Sequence, residues 1–149
     1  MKLHLPSFSP GTHNVAEELR ADELELDPSQ FAKPILVEIH LDRHDPYFEL
    51  KVRLTTTAFA ECDRCLSLAD VRISLENPLL YVLGQPPSGD QVDDDDIAYV
   101  RAGTTEIDLT KDLRDFLILA YSGRHLCSEH CLGLCQKCGA NLNDGPCVC

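Results

Sequence analysis

The sequence predicts an α+β fold: an antiparallel β-meander, curved or barrel-like, packed by one amphipathic helix and followed by a C-terminal cysteine-rich zinc lobe. Three observations predict it. Between Ile35 and Glu76 apolar and polar residues alternate with a period of two, as half-buried strands require. From Leu109 to Ala120 the period becomes helical. The last twenty-three residues, CSEHCLGLCQKCGANLNDGPCVC, hold six of the chain's eight cysteines.

A chain of 149 residues, 44% of them hydrophobic, can build one domain with a core. The expected division is a sheet-plus-helix domain over 1–123 and a cysteine lobe over 124–149. No run approaches the ~18 consecutive apolar residues of a membrane span, and prolines and histidines interrupt MKLHLPSFSPGTH where a secretory apolar region would lie. A cytoplasmic location is expected. In that reducing compartment closely spaced cysteines serve as metal thiolates rather than disulfides.

Acidic residues outnumber basic ones 25 to 13, a formal net charge of −12. Two tetrathiolate zinc sites would take the charge to about −16, because each dication offsets only two of its four thiolates. Without a Lys/Arg cluster, this balance argues against a surface that neutralises phosphates and favours basic protein partners.

The elements follow in order. Lys2-Leu3-His4-Leu5 suggests a short first strand before the turn-prone Ser9-Pro10-Gly11-Thr12. Val15 to Leu26 fits a helix (VAEELRADEL) and, through Leu24 and Leu26, also a strand. Ile35, Val37, Ile39 and Leu41 line one face of a strand, and Arg43-His44-Asp45-Pro46 turns the chain. Phe48, Leu50, Val52 and Leu54 line its hairpin partner, which runs from about Tyr47 to Glu61. Cys62-Asp63-Arg64-Cys65 falls in the next turn. Ala69, Val71, Ile73 and Leu75 resume the alternation, Asn77-Pro78 permits a bend, and Leu79 to Leu83 reads as a further buried strand.

Gly84 to Asp96, with proline, glycine and four successive aspartates, reads as a solvated loop. Its aspartates lack the spacing and turn glycine of a calcium loop. Ile97–Val100 and Glu106–Asp108 suggest short edge pieces. The helix follows, with Leu109, Leu113, Phe116, Leu117 and Ala120 on one face. Asp108 or Thr110 is placed to cap its start, and Ile118, Leu119 and Tyr121 widen the stripe toward a largely covered helix. Ser122-Gly123 ends it, with Gly123 suited to a left-handed cap.

Cys135-Gln136-Lys137-Cys138-Gly139 is a zinc-knuckle pattern: two intervening residues let both sulfurs face one tetrahedral site at Zn–S distances near ~2.3 Å. Gly139 can take positive φ and turn amides toward the sulfurs. Cys147 and Cys149 return across Asn143-Asp144-Gly145-Pro146 and complete a first site. Cys62, Cys65, Cys127 and Cys131 are left for a second, although spacing alone allows Cys127 and Cys131 to join either group. One zinc is expected, with a second if those four converge. Cys62 and Cys65 also read as buried small hydrophobes or as a redox pair poised by Arg64. His125 and His130 flank the lobe cysteines as substitute ligands, but the thiolates suffice without them. A metal saturated by sulfur is structural, and the sequence lacks a nucleophile elbow, a phosphate loop and a His-Glu-x-x-His motif. No enzymatic activity or small-molecule substrate is expected.

Cys62-Asp63-Arg64-Cys65-Leu66, the aspartate-rich loop, Glu106-Ile107-Asp108-Leu109-Thr110 and the run Leu126 to Asn143 together resemble the YceD-like family. These are the large ribosomal RNA subunit accumulation proteins of bacteria and plastids. The resemblance covers nearly the whole chain in order. It implies a small cytosolic factor needed for large-subunit ribosomal RNA to accumulate, without established enzymatic activity. With the acidic charge, the expected partner is a basic ribosomal or ribosome-assembly protein, ribosomal RNA being reached indirectly. The alternatives are a zinc-dependent nucleic-acid-binding module, using Arg114, Arg124 and Lys137, and a thiol or metal enzyme.

Overall fold

The computed structural model describes residues 1–85 and 97–149, so most of the aspartate-rich stretch, with its aspartates, lies outside the described residues. Seven strands and one helix follow in the order β1 (Lys2–His4), β2 (Gly11–Leu19), β3 (Ile35–His44), β4 (Tyr47–Glu61), β5 (Leu68–Leu83), β6 (Ile97–Val100), β7 (Glu106–Asp108) and α1 (Thr110–Tyr121). Strands β2 to β6 form one sheet in sequence order, and β1 pairs with β7 in a second, two-stranded piece.

The alternating stretches fold as their period dictates. Ile35, Val37, Ile39 and Leu41 of β3 and Phe48, Leu50, Val52 and Leu54 of β4 are all buried on one face. Cross-strand pairs such as Ile39 with Val52 fix the register. A slip of one residue would expose all eight side chains, at roughly 2 kcal/mol each. The inward row of β4 continues through Thr56, Ala58 and Ala60 and ends on Cys62.

Four expectations are corrected. The described sheet is open: β2 and β6 are terminal members of the strand order, so the barrel-like option does not hold. Val15 to Leu26 is divided, the first part completing β2 and Ala21–Leu24 forming a 3₁₀ turn, so the strand lies where the helical period was read and the helical turn where the alternation was. Strand β5 passes through Pro78 without a break. Among the described residues Pro78 pairs with β4 alone, since β6 joins at Leu80, and a missing N–H is tolerated where no second strand calls for it. Finally, β6 runs parallel to β5, a pairing that local alternation does not encode.

Helix α1 covers the inner face with Leu113 and Leu117, behind Leu109, all fully buried. Asp108 Oδ1 accepts hydrogen bonds from the Thr110 N–H at 3.0 Å and the Thr110 hydroxyl at 2.6 Å, so it satisfies the helix start from just outside it. The covered stripe is narrower than expected: Leu119 is 77% exposed, and Ile118 and Ala120 are exposed as well. Gly123 does not adopt positive φ. The helix stops instead at Ser122, whose hydroxyl donates to the Ile118 carbonyl at 2.6 Å, and the chain goes on to the lobe.

Two tyrosines tie the helix to the sheet. The Tyr81 hydroxyl donates to Asp112 Oδ2 at 2.6 Å, and the Tyr121 hydroxyl donates to the Phe59 carbonyl at 3.0 Å. The second bond fixes the helix C-terminus beside the end of β4. There the cysteine lobe begins.

Candidate metal centres

Cys62 and Cys65 stand on the turn between β4 and β5. The Leu66 N–H closes it on the Cys62 carbonyl at 2.9 Å, and the Cys62 N–H reaches the Ser67 carbonyl at 2.9 Å. Leu66 takes φ 60°, a left-handed conformation rare for a branched side chain. The lobe knuckle repeats this turn. The Gly139 N–H meets the Cys135 carbonyl at 2.9 Å with φ 74°, so Leu66 occupies the position glycine holds in the second copy.

The structure brings the eight cysteines together as two sets of four, Cys62, Cys65, Cys127 and Cys131, and Cys135, Cys138, Cys147 and Cys149. Within each set all ligand atoms lie within 4.8 Å of one another. Cys127 and Cys131 thus join the strand-turn pair, and the pairing that spacing left open is settled in position. In the first set Cys62 and Cys131 sulfurs are 3.7 Å apart and Cys65 and Cys127 sulfurs 3.5 Å. In the second, the Cys135, Cys147 and Cys149 sulfurs are 3.3 to 3.4 Å from one another. A tetrahedron with Zn–S bonds of ~2.3 Å has edges of about 3.8 Å, whereas a disulfide needs about 2.05 Å, so these are metal-holding spacings between free thiols.

The charges agree. Cys62 is pulled down to about 6, chiefly by the backbone N–H of Cys127, with those of Arg64 and Cys65 adding to it against burial. Cys135 also falls to about 6, through the backbone N–H groups of Cys138 and then Lys137. Cys65 is lowered by the Ser67 hydroxyl and N–H. Cys127, facing the Cys131 and Cys65 sulfurs, is pushed up to about 12, and Cys149, facing Cys147 and Cys135, up to about 11. Within each set the crowded sulfurs oppose one another's ionisation. A soft dication at its centre removes that repulsion, so the donor sets fit zinc or a similar thiolate-preferring ion.

The sets differ in surroundings. Cys62, Cys65 and Cys131 are buried, with Leu126 and Leu134 packed against them. In the second set Cys138 and Cys149 are exposed. Four polar contacts fasten lobe to turn. The Asp63 N–H donates to the His125 carbonyl at 2.9 Å, and the His125 N–H donates to Asp63 Oδ2 at 2.7 Å. Arg64 Nη1 donates to the Cys131 carbonyl at 2.9 Å, and Asn141 Nδ2 to Ser67 Oγ at 3.4 Å. Gly133 lies so close that a Cβ there would come 3.2 Å from the Arg64 carbonyl. Arg64 is thus committed to a carbonyl rather than to a thiolate. Neither His125, stacked on Tyr121 at 4.9 Å, nor the exposed His130 belongs to either set.

Sequence reasoning missed Asn143. It lies in the loop between Cys138 and Cys147, yet its Nδ2 donates to the Cys131 sulfur at 3.4 Å and its Oδ1 accepts the Leu132 N–H at 2.8 Å. The loop of one set thereby serves the other. Only its Asn-Asp-Gly-Pro turn context was visible beforehand. Leu66 was missed too, though the shared Cys-x-x-Cys-x spacing aligned it with Gly139.

With this arrangement established, the family model for "Large ribosomal RNA subunit accumulation protein YceD" matches residues 50–149, a span containing all eight cysteines. The chain belongs to the YceD family. Two curated relatives carry the name "Large ribosomal RNA subunit accumulation protein YCED homolog 1, chloroplastic". The one from Zea mays is 43% identical over 63 residues, 41% of this chain and 22% of the relative. The one from Arabidopsis thaliana is 46% identical over 44 residues, 30% of this chain and 14% of the relative. Each match therefore spans less than a quarter of the relative's length. No solved structure matches significantly. Among the described residues no helix is long and apolar enough to cross a membrane.

Proposed function

We propose that this YceD-family chain is a non-catalytic factor supporting accumulation of large-subunit ribosomal RNA. In this reading its acidic body binds basic ribosomal or assembly proteins, one structural zinc ion holds the lobe against the sheet, and a second shapes the lobe itself. The observation that carries the structural half is the convergence of two complete four-sulfur sets. Four thiolates fill a tetrahedral zinc, leaving it to shape a surface rather than to activate water. The net charge of −12 supports a basic protein partner over a direct phosphate contact.

Of the basic residues that a nucleic-acid module would use, Arg114 already pairs with Glu25 at 2.6 Å. The family description and the relatives' names supply the process. The relatives are named chloroplastic, and the reading requires only a reducing compartment in which the thiols remain free for metal.

Two measurements test this. Native mass spectrometry should find two zinc ions per chain. Depletion of the protein should lower large-subunit relative to small-subunit RNA in a gradient profile, and an unchanged ratio rejects the reading. RNA binding by the purified protein with a steep salt dependence would favour the nucleic-acid module instead.

A further inference from the structure

Leu66 is where local physics and sequence disagree. It holds the left-handed position of a knuckle turn that its twin gives to Gly139, and it is 61% exposed. Glycine would suit both the backbone and the solvent there. A leucine kept in a conformation and an environment that both disfavour it marks a function outside the fold. It is not alone: Leu68 is 71% exposed and Leu132 67% exposed.

These three leucines bracket the seam. Leu66 and Leu68 flank Ser67, which receives Asn141 Nδ2, and Leu132 stands between Cys131 and Gly133, the two residues that Arg64 touches. Leu66 and Leu68 belong to the turn and Leu132 to the lobe, so the contacts that fasten lobe to turn fix where the three stand relative to one another. We propose that Leu66, Leu68 and Leu132, presented across the seam beside the buried cysteine set, form the docking surface for a basic polypeptide segment carrying apolar side chains.

The occupant follows from charge. The turn and lobe carry exposed Glu61, Asp63, Asp70, Glu129 and Asp144 against exposed Arg64, Arg124 and Lys137, and each loaded set of four thiolates and one dication would add a formal charge of about −2, so the balance stays negative. Apolar side chains at the centre with negative charge around them select a cationic, leucine-binding segment over an RNA strand. The proposal rests on the reading above of an acidic protein-binding factor, and adds where the partner sits.

The test uses the zinc-loaded full chain and two synthetic peptides of equal length and charge. One carries lysine and leucine at helical spacing; the other has serine in place of leucine. The lysine/leucine peptide should bind about tenfold more tightly or better, as burial of even one leucine requires, and should move the amide resonances of Leu66, Leu68 and Leu132 most. The variant L66G/L68S/L132S should bind both peptides at the weaker level while keeping two zinc ions. Should that variant lose zinc, L68S, outside both knuckle turns, replaces it and should lose about threefold.

Equal affinity of the two peptides, resonance shifts confined to other surfaces, or an RNA oligonucleotide moving these amides where the peptide does not would each overturn the docking surface. In depleted cells, failure of the wild-type chain to restore large-subunit RNA would sink the ribosomal reading and leave the peptide result standing. Full rescue by the triple variant would overturn the docking surface and leave the ribosomal reading intact.

Discussion

The two cysteine sets have the same four ligands and opposite dependence on the fold. Cys135 and Cys149 are 14 residues apart, whereas Cys62 and Cys131 are 69 apart. Closing the longer loop in an unfolded chain costs about 1.5 kcal/mol more by loop entropy, so the local set needs less of the fold in place to gather its sulfurs than the distant set does. Burial follows the same division. The distant set is sunk between β-turn and lobe, and the local set is half open to solvent. One centre fastens two parts of the molecule; the other shapes a single part.

The largest effect that would sharpen this contrast is expected from Cys131→Ser. It should remove one zinc, release the lobe and cost about 3 kcal/mol, a drop of ~10 °C in Tm by calorimetry. Cys149→Ser should also remove one zinc but leave the main transition within ~2 °C, since the sheet does not depend on that set. Equal losses from the two variants would break the comparison.

Asn143→Ala comes next, because it removes a hydrogen bond to the Cys131 sulfur and the acceptor of the Leu132 N–H. Chelator competition should show the distant set holding zinc about tenfold more weakly, with the local set unchanged, the scale expected for an outer-shell donor. Acidification should weaken both centres, because protons bind the metal-free thiolates. With Cys62 and Cys135 held at about 6, apparent affinity should fall more steeply with decreasing pH below 6 than above it. The smallest change is expected for Leu66→Gly: relief of the left-handed backbone nearly cancels the entropy glycine adds to the unfolded chain, leaving Tm within about 2 °C.

What could be read beforehand divides along the same line. The alternation of Ile35 to Leu41 and Phe48 to Leu54 is a local signal, and so is the spacing of Cys135, Cys138, Cys147 and Cys149; both appear as the chain alone dictates. The pairing of β1 with β7 joins segments far apart in sequence that no window contains, and β6, though close to β5 in sequence, pairs in a direction that alternation does not encode. The exposure of Leu119 beside the helix's apolar stripe has a similar origin, since the period shows which residues share a face but not how wide a face the sheet covers. Asn143 looked like a turn residue because its partner, Cys131, belongs to the other set.

The row of inward side chains on β4 that ends at Cys62 also has a consequence for synthesis. A 15-residue strand leads directly to half of a metal site, whose remaining ligands are translated about sixty residues later. During that interval a nascent chain displays two unpaired thiols at the growing tip of its sheet. A metal bound across the two pairs would then act as a latch, closing the lobe onto a turn made some sixty residues earlier.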